Sequence, residues 1–116
     1  MTEHIEINLD KPVEAPVVDS SLTELLVDYY GKWPESALSA TQSYDGEVVW
    51  WQVSKEEIAA VISEHKPINN DLLPYIGVGH VVDSDYPELD NYAVCASDWR
   101  GSIVSAEEFI TMKGTR

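Results

Sequence analysis

The sequence predicts an α+β fold, with one mostly antiparallel sheet carrying helices on a face, and three observations lead there. Ser21/Glu24, Ser54/Glu57 and Ser105/Glu108 share the spacing of a capping box, and each opens an apolar helical stripe. Asp45-Gly46 is a turn pair set between two strand-like runs. The elements also alternate without the long crossovers that parallel strands require.

Residues 1–19 read as an N-terminal extension or edge strand, and residues 20–116 as the single α+β domain. Ile5, Ile7 and Leu9 alternate with Glu6 and Asn8, the period of a half-buried strand, before Asp10-Lys11-Pro12 breaks it. A helix is then expected over 21–31. Leu22, Leu25, Leu26 and Tyr29 line one face, Gly31 suits a left-handed terminus, and Pro34 blocks resumption.

Read as a two-residue type I′ turn, Asp45-Gly46 folds the next stretch into a hairpin pairing Tyr44 with Glu47, Gln42 with Val49, Ala40 with Trp51 and Leu38 with Val53. One face then holds Leu38, Ala40, Val49, Trp51 and Val53. The other leaves Val48 and Trp50 among polar residues, to be covered by a second layer or by a partner. Ser54 starts a helix over 55–65, with Ile58, Val61 and Ile62 inward and Pro67 as the stop. Pro74, Gly77 and Gly79 punctuate a turn and a strand near 76–82, and Asp83 to Asn91 reads as an acidic loop. Strands near 92–97 and 102–104 flank the turn Asp98–Gly101, and a last helix covers 106–112. Val53-Ser54-Lys55-Glu56-Glu57-Ile58 is echoed by Val104-Ser105-Ala106-Glu107-Glu108-Phe109, either through shared helix-start chemistry or through duplication of a hairpin-plus-helix unit.

Composition narrows the function. A chain of 116 residues forms one domain and removes roughly 65% of its unfolded surface from water. That suffices for a core without metal or disulfide. Twenty-one acids against seven bases give a net charge of -14. Such a field repels nucleic acid and anionic membranes and attracts a basic protein. Cys95, the single cysteine, sits in the strand-like run Tyr92–Ala96 and reads as a core residue. The amino terminus lacks the features of a signal peptide, and no apolar run approaches the ~20 residues of a membrane span, so a cytoplasmic location is expected.

No motif names a chemistry. The oxygen-rich loop Asp83–Asn91 lacks the glycine and ligand spacing of a calcium loop. Gly77-Val78-Gly79 opens no dinucleotide-binding helix. Among the three histidines only His80 lies amid apolar residues. The chain is therefore expected not to be an enzyme and to need no cofactor or metal.

Between Lys66 and Arg100 there is neither lysine nor arginine, while acids and aromatics accumulate. The candidate partner-binding residues are Asp83, Asp85, Tyr86, Glu88, Asp90, Tyr92, Asp98, Trp99 and Trp50, since aromatic anchors supply binding energy and charge supplies steering. The expected function is a small acidic protein-binding module or inhibitor acting on a basic partner such as a nucleic-acid-processing protein, in its sharper form by mimicking nucleic acid. The alternatives are a structural or assembly subunit of a phage or bacterial complex, which would use the Ile5–Leu9 strand to join a neighbour's sheet, and a small enzyme.

Overall fold

A computed structural model describes residues 14–116, and the Ile5–Leu9 strand lies outside these described residues. All three capping boxes form, with each serine hydroxyl accepting from the backbone of its glutamate partner and each glutamate reaching back to the cap. The first opens α1, Leu22–Leu25, which continues as a π-helical turn, Leu26–Tyr30, and closes at Gly31 in the left-handed region at φ 72°. Gly31 N–H bonds the Leu26 carbonyl five residues back. This wider turn moves the inward stripe off the expected phase. Val27 goes in, Tyr29 stays out, and Tyr30 swings over the sheet to meet Trp50 edge-on at 5.1 Å between ring centroids.

Strands β1, Ser39–Gln42, and β2, Val48–Trp51, form the expected hairpin in a register shifted by one. Ser39 faces Trp51, Ala40 faces Trp50, Thr41 faces Val49 and Gln42 faces Val48. The loop causes the shift. Gly46 alone takes a positive φ, 96°, and it donates to Ser43 while Ser43 donates to Glu47, so three residues rather than two make the turn. A type I′ pair would need Asp45 left-handed as well. Asp45 instead accepts from Ser43 Oγ and from Glu47 N–H, which fixes the longer turn.

The chain continues through α2, Lys55–His65, ended by left-handed Lys66, into the short helix α3, Leu73–Ile76, where Pro74 occupies the first turn. After a 3₁₀ turn at Val78–His80 comes β3, Val81–Asp85. The strand expected near 76–82 therefore lies further on, and Asp83 and Asp85, expected in a loop, are strand residues. An edge strand accepts such charge because its side chains meet water. Strands β4, Glu88–Leu89, and β5, Tyr92–Ala93, form a separate two-stranded hairpin. Here Asp90 and Asn91 are both left-handed, at φ 53° and 71°, so this is where the two-residue turn occurs.

Residues 94–97, expected as strand, run beside residues 16–20 instead. Cys95 N–H bonds the Pro16 carbonyl, Val18 N–H bonds the Cys95 carbonyl, and Ser97 N–H bonds the Ser20 carbonyl. Strand β6, Val104–Ser105, pairs with β1 rather than with that segment, and α4, Ala106–Gly114, follows.

The main sheet has the order β3-β2-β1-β6, antiparallel throughout. All four β2 residues are buried, so this strand has no polar face and both faces are covered, not one. Ala40, Val48, Trp50 and Val104 meet Leu22, Leu26, Val27 and Phe109 on the α1/α4 side. Val49 and Trp51 meet Ile58, Leu72, Ile62 and Ile76 on the α2/α3 side. The sequence echo thus sends Ile58 and Phe109 into opposite cores. Ser39 faces Ser105 on one side and Trp51, three residues before Ser54, on the other. The repeated motif is a helix-start chemistry without equivalent placement in the sheet.

Candidate binding site at an acidic sheet edge and aromatic cleft

Among the described residues strand β3 is the outer edge of the sheet, beside β2, and Asp83, Ser84 and Asp85 on it are exposed. Asp83 lies opposite Trp50 and Asp85 opposite Val48, which puts both carboxylates on the α1/α4 side. Asp45 in the turn and Glu47 at the strand entry form a second acidic group with Asp71. Burial raises the Glu47 carboxyl above its ordinary range, and the charges of Asp45 and Asp71 raise it further. Tyr86 donates to Asp45 Oδ2 at 3.4 Å; partial burial raises its phenol, and Asp45 and Glu47 add to the effect. These mutual influences place Asp45, Glu47 and Asp71 close enough to act as one field, while Asp85 and Asp83 act together on Tyr30.

Lys32 lies near Asp83 and Asp85, but no salt bridge meets either acidic group among the described residues. Their ion pairs use Glu14, Glu24, Asp28, Glu64 and Glu108. None uses Asp45, Glu47, Asp71, Asp83, Asp85, Glu88 or Asp90. The β4–β5 hairpin leaves the same corner, since Ala93 and Val94 pack against Gly46. It carries Glu88, Asp90 and a Tyr92 ring that is 70% exposed, beside a half-exposed Leu89.

Seven of the nine candidate residues are on the surface, and six of those lie in β3 or the adjoining hairpin segment. Asp98 is exposed but already engaged: its Oδ1 accepts the Leu22 N–H at 2.8 Å, satisfying a free amide at the start of α1. Trp99 is buried, with Arg100 stacked 4.5 Å above its ring, so it supplies core rather than a docking surface. Trp50 is only 3% exposed because Tyr30 covers it, yet it also helps line a cleft.

The cleft has a volume of about 430 Å³, within the usual range for ligand sites. Tyr30, Trp33, Pro34 and Trp50 line it, together with Lys32, Asp83, Ser84 and Asp85. Trp33 is held in place by its indole N–H, which donates to the Ala37 carbonyl at 2.8 Å. On the opposite face Trp51 donates to Thr41 Oγ1 at 3.0 Å. By contrast, among the described residues the buried Trp50 indole N–H has no hydrogen-bond partner, and the buried Tyr30 hydroxyl meets only Asp85, outside good hydrogen-bond geometry. A buried group left unpaired costs about 1–3 kcal/mol of desolvation. Burial pushes the Tyr30 phenol strongly upward and the nearby Asp85 charge adds to it, so it stays protonated as a donor.

The sequence showed the acids and missed this cleft. Tyr30-Gly31-Lys32-Trp33-Pro34 reads as a helix stop, and only the π turn reveals that Tyr30 faces the sheet. His80 is exposed, and its carbonyl accepts from Gln52 N–H. Among the described residues, no three His, Cys, Asp or Glu side chains gather as a metal site needs, and no helix is long and apolar enough to cross a membrane.

Known protein families, curated proteins and solved structures offer no match to this chain. The functional reading therefore rests on the site itself.

Proposed function

We propose that this chain is a protein-binding module for a basic partner, with the β3 edge and the β4–β5 hairpin as its recognition surface. The observation behind this reading is a run of exposed carboxylates, Asp83, Asp85, Glu88 and Asp90, that enter no ion pair among the described residues while Tyr86 and Tyr92 stand exposed beside them. Carboxylates that repel one another gain when a cationic surface neutralises them. The two tyrosines add apolar contact with little loss of side-chain freedom. Attraction of this kind speeds encounter and weakens with salt, since exposed charges are screened over about 8 Å at physiological ionic strength.

The test is fluorescence anisotropy with a labelled peptide rich in arginine and lysine, in parallel with the same peptide carrying citrulline and glutamine at those positions. Binding of the basic peptide alone is expected, weakening at least about tenfold between 50 and 500 mM salt and again in an Asp83→Asn, Asp85→Asn double variant. Absence of binding at low salt, or affinity that ignores both salt and the double variant, overturns the proposal.

A further inference from the structure

We infer that the cleft beside β3 receives an arginine side chain of the basic partner, with a backbone carbonyl of the same segment accepting from Trp50 Nε1. The inference rests on the function proposed above and assigns it a particular socket. Three features of the cleft select this occupant together. Asp83 and Asp85 stand two residues apart on one face of β3 and open onto the cleft, so a cation is favoured there. Tyr30, Trp33 and Trp50 provide aromatic walls, against which a flat guanidinium stacks and a strongly hydrated ammonium gains less. The guanidinium also presents five donors in a fork, enough to engage both carboxylates at once.

The third feature separates a peptide from a bare cation. Trp50 Nε1 is a donor only and lacks a partner among the described residues, although Trp50 is 97% buried by its 3% exposure. Tyr30 Oη, on the neighbouring wall, already has the Asp85 carboxylate acting on it as an acceptor, so Trp50 Nε1 is the donor left for a carbonyl. A cation cannot satisfy an indole N–H, whereas a peptide carbonyl next to the arginine side chain can. Among the described residues Lys32 is the one base lining the cleft, and it is exposed. Its charge opposes an incoming guanidinium, so it limits affinity.

The experiment titrates the full chain with acetyl-Gly-Arg-Gly-amide and follows the tryptophan indole N–H signals by NMR, with Trp50 assigned through Trp50→Phe. Comparison ligands are the lysine and citrulline versions of the peptide, and agmatine, which carries the guanidinium without a carbonyl. The expected result is a downfield shift of the Trp50 indole N–H with the arginine peptide alone. Affinity should fall at least about fivefold in Asp83→Asn or Asp85→Asn and rise about threefold in Lys32→Gln. Asp83→Asn and Lys32→Gln change exposed rim residues, so both keep the test decisive if Trp50→Phe does not fold.

Equal binding of the lysine peptide overturns the choice of arginine, and an equal Trp50 shift with agmatine overturns the carbonyl contact. If the arginine peptide moves signals of Glu88 and Tyr92 while the Trp50 signal stays put and Asp83→Asn and Lys32→Gln leave binding unchanged, the socket is wrong and the basic-partner reading stands. If no basic peptide binds anywhere at low salt, both fall.

Discussion

Replacing Gln42 with methionine tests how the segment at 94–96 is held on the domain. Gln42 is fully buried on β1, and its amide reads three backbone groups: it donates to the Gly46 carbonyl at 2.8 Å and the Val94 carbonyl at 2.9 Å, and it accepts from Ala96 N–H at 2.8 Å. Methionine nearly conserves the volume and removes all three bonds, so packing loss contributes little. Each backbone group left in the interior without a partner costs about 1–3 kcal/mol, and partial relaxation brings the total to about 3–5 kcal/mol. At about 2.1 cal/mol/K of unfolding entropy per residue over 116 residues, 1 kcal/mol moves Tm by about 4 °C. The expected fall is thus about 12–20 °C, measured by calorimetry and by urea unfolding followed through tryptophan emission. Gln42→Glu keeps an acceptor for Ala96 but turns a carboxylate toward two carbonyls, and it should fare no better. A loss below about 1 kcal/mol with an unchanged urea slope would refute this account, since the segment would then be held by other contacts.

Other expectations are more local. Asp98→Ala should cost about 1 kcal/mol, read as a shift in the urea midpoint, because it frees the Leu22 amide at the start of α1, and it should leave basic-peptide binding unchanged. Cys95 is fully buried and its thiol is pushed up to about 11, by burial first and then by Asp45. It should therefore resist alkylation by iodoacetamide at pH 8 and react once urea unfolds the chain. Glu47→Gln should raise the Tm slightly at pH 7, the effect being muted because solvent screens this half-exposed group. The folded carboxyl sits above its ordinary 4.5, so holding it charged opposes folding at neutral pH. That gain should shrink as pH falls through the folded value and vanish below 4.5, which paired thermal melts of variant and wild type across pH would show.

The helix starts were legible because a capping box is a local device whose parts lie three residues apart. The hairpin's existence was legible for the same reason, but its register was not. That depends on whether Asp45 turns left-handed, and its side-chain bonds to Ser43 and Glu47 decide against it. The Asp90-Asn91 turn carried no glycine, and the flanking acids made it look like loop. Both residue types tolerate the left-handed region, which is how a two-residue turn forms there.

The acid content of the site was plain in the sequence, and so was its nearness to tyrosines. Its division of labour was not. Asp98 and Trp99 look like their neighbours in sequence, yet a contact with Leu22, 76 positions away, turns one into a helix cap, and burial turns the other into core. The cleft depends on a π turn that rotates Tyr30 over Trp50, and apolar periodicity alone does not distinguish that turn from an ordinary helical one.

Trp50 and Trp51 are chain neighbours that look into different rooms, one toward α1 and α4 and the other toward α2 and α3. Strand β2 is the party wall between them. Neither helical layer can peel away without baring a surface whose reverse side props up its opposite number. Melting is consequently a shared event, and the light emitted by either indole should fade along the same curve.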